Sequence, residues 1–235
     1  MFQPYELGQE AFGEPLIPSE FKRTNLAALS AQEDHLWTLG SNPDLIIRSG
    51  DYASPESGKD ASLHLGDYTE ALFHLSDAYA IHPPAISFAH ETDDKGKDTW
   101  FVAANRVEGA SFQQGISDEH QAVAQEAYDS ILEYYRSMIK RDGLYIADLS
   151  LRQLVYGKTA GNTQPAIYMV DVDPQDLFEI NSENRQEELA FIALYLHQFG
   201  SLEKDVLKLN SNDRESNEKK IQKLLVDLYI ARESM

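Results

Sequence analysis

Apolar and polar residues follow strand-like spacing in the first half of this chain and helical spacing in the second. Short β-type segments fall around 23–29, at HLWTLG (35–40) and at DLIIRSG (44–50), with Ser41-Asn42-Pro43-Asp44 reading as a turn. Residues 51–66, rich in Ser, Gly, Asp and Pro, read as a loop. In 67–80 the spacing of Ala71, Leu72, Leu75, Ala78 and Tyr79 predicts a helix capped by Asp67 and ended by Pro83-Pro84. AISFAH (85–90) and DTWFVAANRV (98–107) then predict two strands joined by the charged turn ETDDKGK.

Beyond Gly109 the pattern changes. Val123, Ala127, Ile131, Tyr135 and Ile139 recur every four residues and predict a helix over 118–140, with Asp118 and Glu119 in its first turn and Gly143 as its stop. GLYIADLSLRQLVYG (143–157) is turn-rich and ends in a short strand, and AIYMVDVDP (166–174) is a strand running into acids. Two amphipathic helices close the chain near 185–198 and 216–232, with stripes Leu189/Ile192/Ala193/Leu196 and Ile221/Leu224/Leu225/Leu228. The first twenty residues, with Pro4, Pro15 and Pro18, read as an irregular arm.

Composition narrows the chemistry. The 235 residues contain no cysteine, which excludes a disulfide framework, a thiolate zinc site and a cysteine nucleophile. Twenty basic residues face 39 acidic ones, for a net charge of −19, and residues 1–175 hold 12 and 27 of them. Such a polyanion repels phosphate backbones and anionic membranes, so neither nucleic acid nor a membrane is expected as partner. No signal-peptide pattern or long apolar run is present, and a soluble, cytoplasmic protein is expected. The seven histidines show no metal-ligand spacing, no Gly-x-Ser-x-Gly elbow occurs, and Tyr128, Tyr134 and Tyr135 read as packing residues.

The informative pair is Asp148, in IADLSLRQLVYG, and Asp171, in YMVDVDP. If 153–157 and 166–170 form a hairpin, both carboxylates emerge at one end and flank one cleft. Phosphoryl transfer uses such a pair, one acid orienting the attacking hydroxyl and the other holding Mg²⁺ on the nucleotide phosphates.

Over roughly 23–175 the order of these features resembles the protein-kinase-like superfamily, most closely its aminoglycoside- and choline-kinase-like phosphotransferase branch. DLSLRQLV resembles the catalytic loop, which puts the catalytic aspartate at Asp148 and the metal-binding amide at Gln153. VDVD resembles the metal-binding segment, with Asp171 as ligand and Asp173 where glycine usually stands. LIIR resembles the strand of the phosphate-binding lysine, with Arg48 in its place, and Glu70 is the candidate for the glutamate that pairs with it. WFVAANRVEGASF resembles the last strand and hinge of the N-terminal lobe, where the backbone near Asn105 and Val107 would meet adenine.

The resemblance implies an α+β, two-lobed kinase-like fold. Residues 1–20 would be an arm, 21–106 a small β-rich lobe with one helix, and 107–235 a shortened helical lobe holding the catalytic hairpin at 143–174. ATP with Mg²⁺ or Mn²⁺ would be the cofactor. Departures from the family are equally plain. LSAQEDHLW (29–37) stands at the glycine-rich loop without a glycine, and backbone close to phosphates needs one. Arg for Lys changes the shape of the phosphate contact, Gln for Asn moves the ligand oxygen by a methylene, and Ile146-Ala147 replaces the usual His-Arg. Two readings follow: a pseudokinase-type binding module with a degenerate site and a protein partner, or an active phosphotransferase on a small hydroxyl compound. Asp171-Val172-Asp173 also matches the Asp-x-Asp of nucleotide-sugar glycosyltransferases, which generally follows alternating β-α units.

Overall fold

The computed structural model describes residues 3–5, 26–28, 36–39, 42–51, 61–84, 86–92, 98–159, 162–207 and 211–233. The expected α+β class is the one observed, with a β-rich N-terminal part and a largely helical C-terminal part. The segment at the position of the glycine-rich loop lies outside the described residues, apart from its end in a strand.

Strands β1 (Gln3–Tyr5), β2 (Leu26–Ala28), β3 (Leu36–Leu39) and β4 (Asn42–Asp51) are followed by helix α1 (Ala61–Tyr79). After the short strand β5 (Ile81–His82) come β6 (Ile86–Thr92) and β7 (Asp98–Asn105). Six of these strands form one antiparallel sheet in the order β1-β6-β7-β4-β3-β2. Part of the expected N-terminal arm is thus an edge strand, with Pro4 opposite Ala89.

Register decides where the one cation of β4 points. Arg48 lies opposite Val102, which lies opposite Phe88. Side chains in such a row share a face, because successive residues of a strand point to opposite sides. Val102, Phe88 and Trp100 belong to the core that also contains Leu65, Tyr68, Leu72 and Leu75 of α1. Arg48 therefore projects from the sheet face on which α1 packs.

Helix α1 begins six residues before the expected Asp67 cap. Leu65 extends the apolar stripe of Leu72 and Leu75 backwards by two turns, so the end of the expected 51–66 loop is helix, and Asp67 is interior to it. The helix stops at Ala80, whose φ of 54° is left-handed. Ile81 and His82 then run parallel to a strand of the C-terminal part.

That part starts with β8 (Glu108–Ser111) and helix α2 (Gln121–Met138), preceded by a 3-10 turn at Asp118–His120. Next come β9 (Gly143–Ile146), β10 (Leu154–Thr159), β11 (Asn162–Met169) and β12 (Leu177–Ile180). Helices α3 (Arg185–Val206) and α4 (Ser211–Glu233) finish the chain. A second sheet has the order β5-β11-β10-β8, and β9 pairs with β12. Gly109 faces Gly157 across β8 and β10, where an added Cβ on either would meet the other strand's backbone at 2.2–2.3 Å. Only glycine permits this approach, which ties the connection after β7 to the hairpin.

Helix α2 buries Ala124, Ala127, Tyr128, Ile131 and Tyr135, close to the stripe expected from the sequence. Helices α3 and α4 bury Leu189, Ile192 and Leu196, and Ile221, Leu224 and Leu228. Asn217 exchanges two amide hydrogen bonds with Gln125, and Lys220 pairs with Asp129 at 2.6 Å, fixing α4 on α2. Among the described residues no helix is long and apolar enough to cross a membrane.

Candidate functional site

Strands β10 and β11 form the expected hairpin, with Leu154 opposite Met169 and Tyr156 opposite Ile167. The Val170 N–H donates to the Gln153 carbonyl at 2.9 Å, so the segments carrying Gln153 and Asp171 leave the hairpin at the same end. Asp148 reaches that end by another route. Strand β9 delivers it, and the 3-10 turn Leu151–Gln153 links it to β10.

Gln153 joins Asp148 to this turn. Its amide oxygen accepts the Ser150 N–H at 3.1 Å within a capping box, and its amide nitrogen donates to Asp148 Oδ2 at 3.3 Å. A carboxylate only accepts and a backbone N–H only donates, which fixes the orientation of the amide. The oxygen a cation would need is therefore engaged inside the loop. Asp148 itself is exposed.

The loop backbone around Asp148 is held by three tyrosine hydroxyls. Tyr135 donates to the Ala147 carbonyl at 2.6 Å and accepts the Leu149 N–H at 3.0 Å. Tyr134 accepts the Ile146 N–H at 2.6 Å, and Tyr195 donates to the Leu149 carbonyl at 2.8 Å. The packing role expected of Tyr134 and Tyr135 is thus incomplete, because their heads brace the Asp148 loop. Burial pushes both phenols well above their ordinary range, so they remain protonated and neutral.

Asp171 and Asp173 meet Arg48. One guanidinium nitrogen pairs with Asp171 Oδ1, and the other lies 3.3 Å from Asp173 Oδ2. The planar fork of arginine can span two carboxylates in this way, where a lysine offers a single point charge. The partner expected for Arg48, Glu70, is exposed on the outer side of α1. Tyr68, two residues earlier, takes the inward position and is fully buried.

A fourth acid completes the cluster. Asp173 caps the 3-10 turn Pro174–Asp176 through Oδ1, which accepts the Gln175 N–H at 2.9 Å. The Ala147 N–H donates to the Asp176 carbonyl at 2.9 Å, and Leu177 pairs with Ile146, so Asp176 stands beside the Asp148 loop. Burial, then repulsion from Asp173 and Asp148, raises the Asp176 carboxyl to about 6, with Arg48 partly offsetting them. Sequence pattern alone does not single out Asp176. Its three-residue spacing from Asp173 is visible, but its approach to Asp148 depends on the β9–β12 register.

Asn105 and Val107 flank the step between the two sheets. Asn105 ends β7 opposite Leu45, and the Arg106 N–H is taken by the Asp44 carbonyl at 2.7 Å. Both positions are half-buried. Among the described residues no group of three or more carboxylates and histidines is arranged to hold a metal ion. The arrangement is one guanidinium paired with two carboxylates, Asp171 and Asp173, with Asp176 and Asp148 adding negative charge nearby. It attracts cations, and it admits a phosphate only when further positive charge accompanies it.

No family model matches the chain, and no curated protein matches it. Among solved structures it is similar to the microcompartment-associated aminopropanol kinase, at a TM-score of 0.37 and 13% identity over 92% of this chain and 93% of that one. Similarity at this level assigns neither family nor activity to this chain.

Proposed function

We propose that this chain is a divergent kinase-like protein with a degenerate site for ATP and a divalent cation, working as a pseudokinase-type binding module. The observation that supports this reading is Arg48, which crosses from β4 to pair with both Asp171 and Asp173. The three side chains that would serve phosphate and Mg²⁺ or Mn²⁺ are together, but they neutralise one another. In this reading Arg48 turns to the phosphates, and Asp171 and Asp173 hold the ion, whose chemistry is charge neutralisation of the polyphosphate. Gln153, with its oxygen engaged by Ser150, contributes through Asp148 instead. The backbone at Asn105 and Val107 receives adenine, and Glu70, exposed, leaves Arg48 to the aspartates. A cytoplasmic setting and a protein partner belong to the same reading.

One observation favours an active phosphotransferase on a small hydroxyl compound. Asp148 is exposed, braced by the tyrosines and oriented by Gln153, as a base receiving a hydroxyl proton must be. Thermal denaturation and ADP release separate the two readings. ATP–Mg²⁺ raises Tm in both, since a ligand of the folded state stabilises it by mass action. Turnover that disappears in Asp148→Ala establishes the active enzyme, and binding without Asp148-dependent turnover establishes the module. Absence of any Tm shift at millimolar ATP with either ion refutes both.

A further inference from the structure

On α1 it is a tyrosine, not a glutamate, that faces Arg48. Tyr68 is wholly buried, its ring edge-on to Phe88 at 6.0 Å between centroids, and its hydroxyl has no hydrogen-bond partner among the described residues. The turn Pro174–Asp176, which follows Asp173, packs on α1, and Asp176, Asp173 and Arg48 are the charged groups whose fields act on this hydroxyl. A buried donor without an acceptor is unfavourable and rare, so each instance points to a partner gained in another arrangement. The Asp173 carboxylate has its Oδ1 on the Gln175 N–H at 2.9 Å and its Oδ2 on Arg48 at 3.3 Å. Arg48 is bonded to this carboxylate, and Tyr68 stands on the helix against which the turn after Asp173 packs.

We propose that Tyr68 is the alternative donor to Asp173: when a polyphosphate draws Arg48 away, the Tyr68 hydroxyl takes the freed Oδ2. Tyr68 is then a positioning residue. It keeps Asp173 in place while Arg48 serves phosphate, and it sets how readily Arg48 is released. The occasion for this exchange rests on the nucleotide reading above, whereas the exchange itself is a property of three side chains and needs no ligand.

A double-mutant cycle on Tm tests it. In the wild type, Tyr68→Phe removes an unbonded hydroxyl and leaves Tm unchanged or higher. In an Arg48→Met background the hydroxyl has its acceptor, and Tyr68→Phe lowers Tm by about 2–4 °C. Arg48→Lys, which keeps the charge but cannot span two carboxylates, supplies a second background with a loss of the same sign, should Arg48→Met not fold. Equal effects of Tyr68→Phe in all backgrounds, as a purely packing role requires, overturn the proposal. Calorimetric titration with ATP–Mg²⁺ is the second arm, in which Tyr68→Phe weakens binding roughly fivefold. Unchanged affinity overturns the positioning role. A wild type that binds no ATP–Mg²⁺ refutes the nucleotide reading, and the cycle still decides the exchange.

Discussion

Removing one oxygen from Tyr135 tests how the Asp148 loop is held. In Tyr135→Phe the ring remains and the core keeps its shape, but the Ala147 carbonyl and the Leu149 N–H both lose their partner. Tyr135 and Leu149 are fully buried and Ala147 nearly so, which leaves water no route to replace the hydroxyl. An unsatisfied buried polar group costs about 1–3 kcal/mol, so the two together cost about 2–6 kcal/mol, a large part of a typical domain's stability. Tyr195→Phe is the internal comparison, since it breaks the bond to the Leu149 carbonyl from a half-buried ring and costs about 1 kcal/mol. Urea denaturation followed by circular dichroism measures both. Because burial, with Tyr195 next, holds the Tyr135 phenol well above its ordinary range, the deficit stays constant between pH 5 and about 9. A loss below about 0.5 kcal/mol, or one no greater than that of Tyr195→Phe, would refute the claim that this hydroxyl braces the loop.

Asp176 makes stability depend on pH with a defined sign. Its carboxyl binds a proton more tightly folded, at about 6, than unfolded, so its contribution is present at low pH and is lost as pH rises through that value. A shift of roughly two pH units corresponds to at most about 3 kcal/mol, and solvent screening of this half-buried group reduces it to about 1–2 kcal/mol. Asp176→Asn therefore melts above the wild type at pH 7.5, with the gap closing near pH 4; an equal gap at both pH values contradicts the assignment. Gly157→Ala forces a Cβ to within 2.3 Å of the Glu108 carbonyl, and we expect a loss of about 1–3 kcal/mol as β8 and β10 move apart. Wild-type stability in that variant would show that the two strands are not in close contact.

Long elements with one apolar stripe are legible in the amino-acid sequence. Helices α2, α3 and α4 follow their 3.6-residue patterns, and the hairpin carrying Gln153 and Asp171 follows from two apolar runs around a polar turn. The start of α1 is not legible, because it follows without a break on the Ser-, Gly-, Asp- and Pro-rich run 51–60, although Leu65 continues the apolar stripe. The same hidden phase misplaces the partner of Arg48. With Leu65, Leu72 and Leu75 inward, Tyr68 faces the site, Glu70 faces solvent, and Ala78, which the spacing puts in the apolar stripe, is exposed. Strands β5, β8 and β12, of two to four residues, carry no period of their own and exist through their partners. Asp176 is hidden for that reason, since only the pairing of β12 with β9 brings it to Asp148. Asp148, Gln153, Asp171 and Arg48 stand out by their sequence context, and the fold brings all four to one end of the hairpin.

The most direct measurement is calorimetric titration of the full chain with ATP–Mg²⁺, beside Asp171→Asn and Arg48→Met. Arg48 and Asp171 neutralise each other in the structure and serve opposite ends of one ligand in the proposed function. Saturable binding by the wild type is expected, with a loss of at least tenfold in affinity in each variant, about 1.4 kcal/mol. Equal affinity in all three proteins, or no binding by any of them, would contradict the proposed function.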